Sequence, residues 1–142
     1  MILPDVNLLV YAVDTASPFH AQARRWWEEV LSSDQPVGLC YTSLLGFVRL
    51  TINRRVVEYP FDVGQALDLA ESWLEQPNVR LLAPTGRHWP ILSGLLRSVP
   101  GSAGLITDAH MAAYAIEHGY TLYSNDSDFG RFDELRWKNP LT

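Results

Sequence analysis

Short apolar runs alternate with helix-length amphipathic segments along this chain, and that alternation restricts the fold more than any other feature. Residues 2–4, 37–40, 79–82 and 121–124 are too short for helices and read as buried strands. Between them lie segments of helical period: 7–13, 20–33, 43–53, 63–75, 88–98 and 105–118. Ala21, Trp27 and Val30 are among the apolar positions of the second, and Leu44, Phe47, Val48 and Thr51 share one face of the third. Asp62 is placed to cap the fourth helix and Gly119 to end the sixth. Residues 98–104 read as a flexible connection, and 135–138 can add a short edge strand. Strands alternating with helices imply an α/β domain over residues 1–142, its mostly parallel sheet covered on both faces.

At 142 residues the chain can bury one core without staples. Cys40 is the only cysteine, which excludes an intrachain disulfide and a cysteine-based zinc site and suits a reducing cytoplasm. The first residues meet Asp5 at once and lack a basic leader, so no signal peptide is expected. No apolar run approaches the roughly 18 residues that a membrane span needs. The net charge of −5 is the wrong sign for a module that binds nucleic acid through its overall charge. It leaves room for a site where carboxylates hold cations that present positive charge locally.

Ligands of open α/β sheets bind beyond the carboxyl ends of the strands. Asp5 follows the first strand there, and Ser124, Asn125, Asp126 and Asp128 follow the fourth. Asp108, in the first turn of the sixth predicted helix, belongs at the same edge. Each has a local explanation as well: Asp5 as a helix cap, Asp108 as a partner of the helix dipole, the SNDSD segment as a solvated turn. Together, carboxylates at one edge repel one another and raise each other's pKa unless a cation compensates. Hard oxygen ligands suit Mg²⁺, with Mn²⁺ as a substitute. Asn7, two residues after Asp5, is expected to bridge to a neighbouring loop.

Three ordered motifs carry a resemblance across nearly the whole chain. Asp5-Val6-Asn7-Leu8-Leu9-Val10-Tyr11, the Thr107-Asp108-Ala109-His110 segment with its apolar continuation, and Ser124-Asn125-Asp126-Ser127-Asp128-Phe129 resemble the PIN domain, and more narrowly the VapC-type ribonuclease toxins. The resemblance implies a three-layer α/β/α fold and metal-dependent endonucleolytic cleavage of RNA. It also implies a homodimer and inhibition by a VapB-type antitoxin. It puts Asp5, Asp108 and Asp126 at the metal, Asp128 as an accessory acid and Ser124, where the family orients its site, among the groups that bind substrate. Gly46 stands where the family commonly has a Glu, and Asp14 and Glu58 are the nearest acids elsewhere.

Phosphate contacts are expected from Arg49, with Arg54 and Arg55 behind it, whereas Arg24 and Arg25 read as solvated. Most of the five tryptophans are expected to pack, and the four histidines show no ligand-like spacing. Two rival readings remain at this point. One is a PIN fold that binds RNA or an antitoxin without cutting, suggested by Gly46. The other is an aspartate-based phosphoryl-transfer protein, disfavoured by Asn7 and by the position of Lys138, the sole lysine.

Overall fold

The computed structural model describes residues 1–101 and 103–141. Its elements in order are β1 (Ile2–Pro4), α1 (Val6–Val13), α2 (His20–Leu31), β2 (Val37–Cys40), α3 (Tyr41–Thr51), α4 (Val63–Leu74) and β3 (Val79–Leu82). After these come α5 (His88–Ser98), α6 (Ala103–His118), β4 (Thr121–Tyr123) and β5 (Trp137–Lys138), with a 3₁₀ turn at Ser127–Arg131 between the last two strands. All strand pairs are parallel, in the order β3-β2-β1-β4-β5. The expected α/β fold is therefore present, with a sheet that is wholly parallel.

Alternation along the strands divides the interior into two apolar layers. Ile2, Val37, Leu39 and Val79 face α1 to α4, while Leu3, Cys40, Leu82 and Leu122 face α5 and α6. On the first side Phe47 packs edge-on to Trp73 at 4.7 Å, and Trp73 meets Trp27 at 5.6 Å. The core face of α2 is Ala23, Trp27 and Val30; Ala21, grouped with them by sequence, points to solvent because it lies two residues from Ala23 on a 3.6-residue helix. Asp62 caps α4 through a reciprocal pair with Gln65. Gly119 ends α6 with φ 73°, a conformation that side chains disfavour.

The chain leaves β1 toward β2 and β3 on one side, then returns through α5 and α6 to place β4 on β1's other side. The strand order thus reverses between β1 and β4, where ligand crevices form in open α/β sheets. Pro4 is in register with Tyr123, so the residues that follow, Asp5 and Ser124, emerge side by side. Ser102, within the connection expected to be flexible, lies outside the described residues, and α6 begins immediately after it. That early start puts Asp108 in the second turn rather than the first, so the dipole explanation loses its force. Among the described residues no helix is long and apolar enough to cross a membrane.

Phe47 is fully buried, and truncation would leave a cavity that the Trp73 ring packed against it cannot fill without rotating. Phe47→Ala is expected to lower unfolding stability by about 3–5 kcal/mol, read as a shift in the urea midpoint at unchanged slope.

Candidate acidic metal centre

Three segments supply the acids. Asp5 is one residue past β1 and caps α1, its Oδ1 accepting from Val6 N at 2.8 Å. Its Oδ2 accepts from Ser124 Oγ at 2.7 Å, and that same Oγ accepts from Asp126 N at 3.0 Å. Asp126 in turn caps the 3₁₀ turn by accepting from Asp128 N at 2.9 Å. The local explanations drawn from sequence for Asp5 and the SNDSD segment therefore hold, and the hydrogen bonds that cap and turn the backbone also fix the directions of the carboxylates.

α6 delivers Asp108 to the same place. Asp5, Asp108 and Asp126 line one pocket of about 340 Å³ with Val6, Asn7, Thr42, Gly46 and Arg49. Asp108, Asp126 and Asp128 each offer a carboxylate oxygen, and these lie within 4.8 Å of one another. Asp5 stands beside that trio rather than in it, with both oxygens already bonded to Ser124 and Val6.

Electrostatics mark the cluster. Burial pushes the Asp5 carboxyl above its usual value against the pull of Ser124 and Val6, and Asp126 adds to the rise. Asp108 is pushed up to about 6 by burial and by Asp5, Asp126 and Asp128. A donor set of carboxylate oxygens with no nitrogen or sulfur fits Mg²⁺ or Mn²⁺, and a dication would relieve the repulsion that raises Asp108.

Of the other expectations, the geometry bears out some and overturns others. Ser124 was expected among the groups that meet substrate, but it is fully buried and its hydroxyl is engaged by Asp5 and Asp126. Arg49 lines the pocket, while Arg54 and Arg55 sit exposed in the turn after α3 and do not line it. Arg24 is solvated and pairs with Glu28. Asn7 lines the pocket, and among the described residues its side chain makes no hydrogen bond to a neighbouring loop. Neither Asp14, at the far end of α1, nor the exposed Glu58 lines the pocket, so neither stands in for an acid at position 46. A Cβ added at Gly46 would come within 2.9 Å of Val6 Cγ2, so this helix turn is packed for glycine.

Tryptophans 26, 27, 73 and 137 pack, with Trp137 Nε1 donating to Ser124 O at 2.9 Å, and Trp89 is exposed. Thr42 and Thr107 line the pocket although the sequence reading gave neither a role. The edge rule that selects Asp5 after β1 also selects Thr42 after β2.

A model of the PIN domain matches residues 2–135 of this chain. Ribonuclease VapC33 of Mycobacterium tuberculosis is 42% identical over 141 residues, covering 99% of each chain. Ribonuclease VapC37 of the same organism is 41% identical over 140 residues, covering 99% of this chain and 97% of the relative. The solved structure of M. tuberculosis VapC20, described as a toxin that cleaves the sarcin-ricin loop, superposes with a TM-score of 0.69 at 22% identity, covering 96% of this chain and 99% of that one. VapBC2 of Rickettsia felis, solved on a promoter DNA fragment, gives a TM-score of 0.68 at 16% identity and 98% coverage of both. The chain belongs to the PIN-domain family, in its VapC branch. The phosphoryl-transfer alternative falls with that membership.

The raised Asp108 sets a pH signature. Its folded-state pKa exceeds the unfolded value of 3.8, so its contribution to stability is complete below that pH and is lost as pH rises through about 6. In EDTA, Asp108→Asn should therefore gain thermal stability relative to wild type by a few degrees as pH climbs from 4 to 7. Mg²⁺ should raise the melting temperature of wild type at pH 7 and leave the variant nearly unchanged.

Proposed function

We propose that this chain is a Mg²⁺-dependent endoribonuclease, able to use Mn²⁺, and that it acts as the toxin of a VapBC-type toxin–antitoxin pair. The observation that carries the reading is the meeting of four carboxylates from three distant segments at the strand-order reversal, with three of their oxygens within 4.8 Å. The names of the relatives above supply the substrate class, RNA. A VapB-type antitoxin as inhibitor, assembly as a homodimer, a single working domain over residues 1–142 and a cytoplasmic setting belong to the same proposal.

The proposed roles follow from position. Asp5, Asp108 and Asp126 hold the cation, and Asp128 closes the trio of oxygens from its exposed side. The chemistry such a cation supplies is charge neutralisation at the phosphate and acidification of water. Asp126 or Asp128 orients the attacking water and accepts its proton at a carboxylate oxygen. Ser124 acts from behind, its O–H holding Asp5 Oδ2 so that the carboxylate cannot turn away. Arg49, the only cation lining the pocket among the described residues, takes a phosphate oxygen of the bound strand.

Purified protein should cut RNA in Mg²⁺ and stop in EDTA, and Asp5→Asn should lose at least ~100-fold in rate while keeping a native circular dichroism spectrum. Full activity in EDTA would sink the proposal. Arg49→Ala should weaken RNA binding and reduce its salt slope by about one, read by fluorescence anisotropy from low to moderate salt. Gly46 favours a second reading, a PIN fold that binds RNA or antitoxin without cleaving it. Growth arrest on expression that persists in Asp5→Asn would support that reading over the nuclease.

A further inference from the structure

One wall of the pocket is built by the first turns of α3, and its side-chain chemistry differs from the acidic part. Thr42 lines the pocket there, and its Oγ1 lies 3.1 Å from His110 Nδ1, within hydrogen-bond distance. Behind them stands a graded support. The His110 ring packs against His88 at 4.9 Å and Tyr114 at 5.0 Å. His88 Nδ1 meets Glu117 Oε1 at 2.6 Å, and the buried Glu117 carboxylate also accepts from Thr85 N at 3.0 Å and Thr85 Oγ1 at 2.7 Å. The backbone of Thr42 is fixed too, because Ser43 Oγ closes the first turn of α3 by accepting from Cys40 N.

A threonine on a helix commonly chooses between two rotamers at little cost. Here one hydroxyl at the rim of the site meets His110 of α6, whose ring is backed by His88 of α5 and, through it, by a buried carboxylate. A hydroxyl both donates and accepts, and it carries no charge. Anionic phosphate is better matched by Arg49 and by a cation on the aspartates. The neutral group covalently next to a scissile phosphate is the ribose, whose 2′-hydroxyl also donates and accepts and is what distinguishes RNA from DNA.

Resting on the ribonuclease reading above, the geometry points to Thr42 as the residue that contacts the 2′-hydroxyl of the nucleotide flanking the scissile phosphate, with His110 as its positioning residue. Thr42 thereby selects RNA over DNA at that nucleotide. His110 acts only through Thr42, by fixing the rotamer that turns the hydroxyl toward the strand.

The test pairs enzyme and substrate changes. A single-stranded RNA oligonucleotide with a mapped cleavage site is compared with copies carrying one 2′-deoxy nucleotide at each position flanking that site. Wild type should cut one deoxy copy more slowly, by roughly five- to tenfold in kcat/KM, as expected for one neutral hydrogen bond. Thr42→Val should cut the all-RNA strand that much more slowly and lose the discrimination, and Thr42→Ser should keep it. His110→Phe should lose the discrimination while Thr42 remains in place, which a merely structural role for His110 would not produce. Equal discrimination in wild type and Thr42→Val overturns the assignment and leaves the ribonuclease reading standing. Complete loss of cleavage by both proteins on the same deoxy copy also overturns it, since that hydroxyl would then be serving as the nucleophile. Absence of RNA cleavage by wild type removes the ribonuclease reading and this assignment together.

Discussion

The hydroxyl of Ser124 joins two carboxylate-bearing segments from opposite ends of the chain, donating to Asp5, 119 residues away, and accepting from the amide of Asp126. It can do so only because β1 and β4 are neighbours in parallel register, which brings both chain ends out at the same height. Asp5 N adds a bond to Tyr123 O at 2.8 Å, and Ser124 N is held by Lys138 O at 3.0 Å, so the junction is tied to both flanking strands. The rest of the site is arranged around that junction. α6 crosses from the far side of the sheet to bring Asp108 to it, and α3 closes it with Thr42, Gly46 and Arg49.

Such a site works against the fold that carries it. Asp5 is buried, and burial and neighbouring carboxylates leave Asp108 with a pKa of about 6. The two apolar layers stabilise the chain independently of the cluster, through interlocked contacts such as those of Phe47, Trp73 and Trp27 on one side and Leu3, Leu122 and the alanine-rich face of α6 on the other. Carboxylates crowded at one edge break the usual rule that like charges stay apart, and functional sites are where such breaches are tolerated. Binding of a cation would convert that electrostatic cost into affinity.

A second polar system lies on the α5–α6 side, with the opposite logic. Burial opposes ionisation of Glu117, but hydrogen bonds from Thr85 and His88 hold its pKa below the ordinary value. Where the aspartate cluster is short of positive charge, Glu117 is satisfied by donors, and it serves as an anchor. Its reach through His88 and His110 to Thr42 connects the interior of that layer to the pocket wall.

Much of the fold was legible in the sequence because local interactions dictate it. The residues that form β3 and α5 matched their patterns end to end, the Asp62 cap and the Gly119 terminus followed from backbone chemistry, and Asp5, Asp108, Asp126 and Asp128 stood out by their places at strand ends and on one helix. The sequence misjudged features that depend on where one element lies over another. α6 starts earlier than its apolar pattern suggests, Ala21 turns outward where Ala23 turns in, and Ser124 is sealed behind Asp5. Of three nearby arginines only Arg49 reaches the pocket, since Arg54 and Arg55 lie beyond the helix end. Sequence by itself determined the alternation of strands and helices and the kinds of side chain available at the sheet edge, because period, capping and turn chemistry act between near neighbours. Only the tertiary structure decided which of those side chains meet, because that depends on the register of β1 with β4 and on the paths of α3 and α6 across the sheet, which no local pattern encodes.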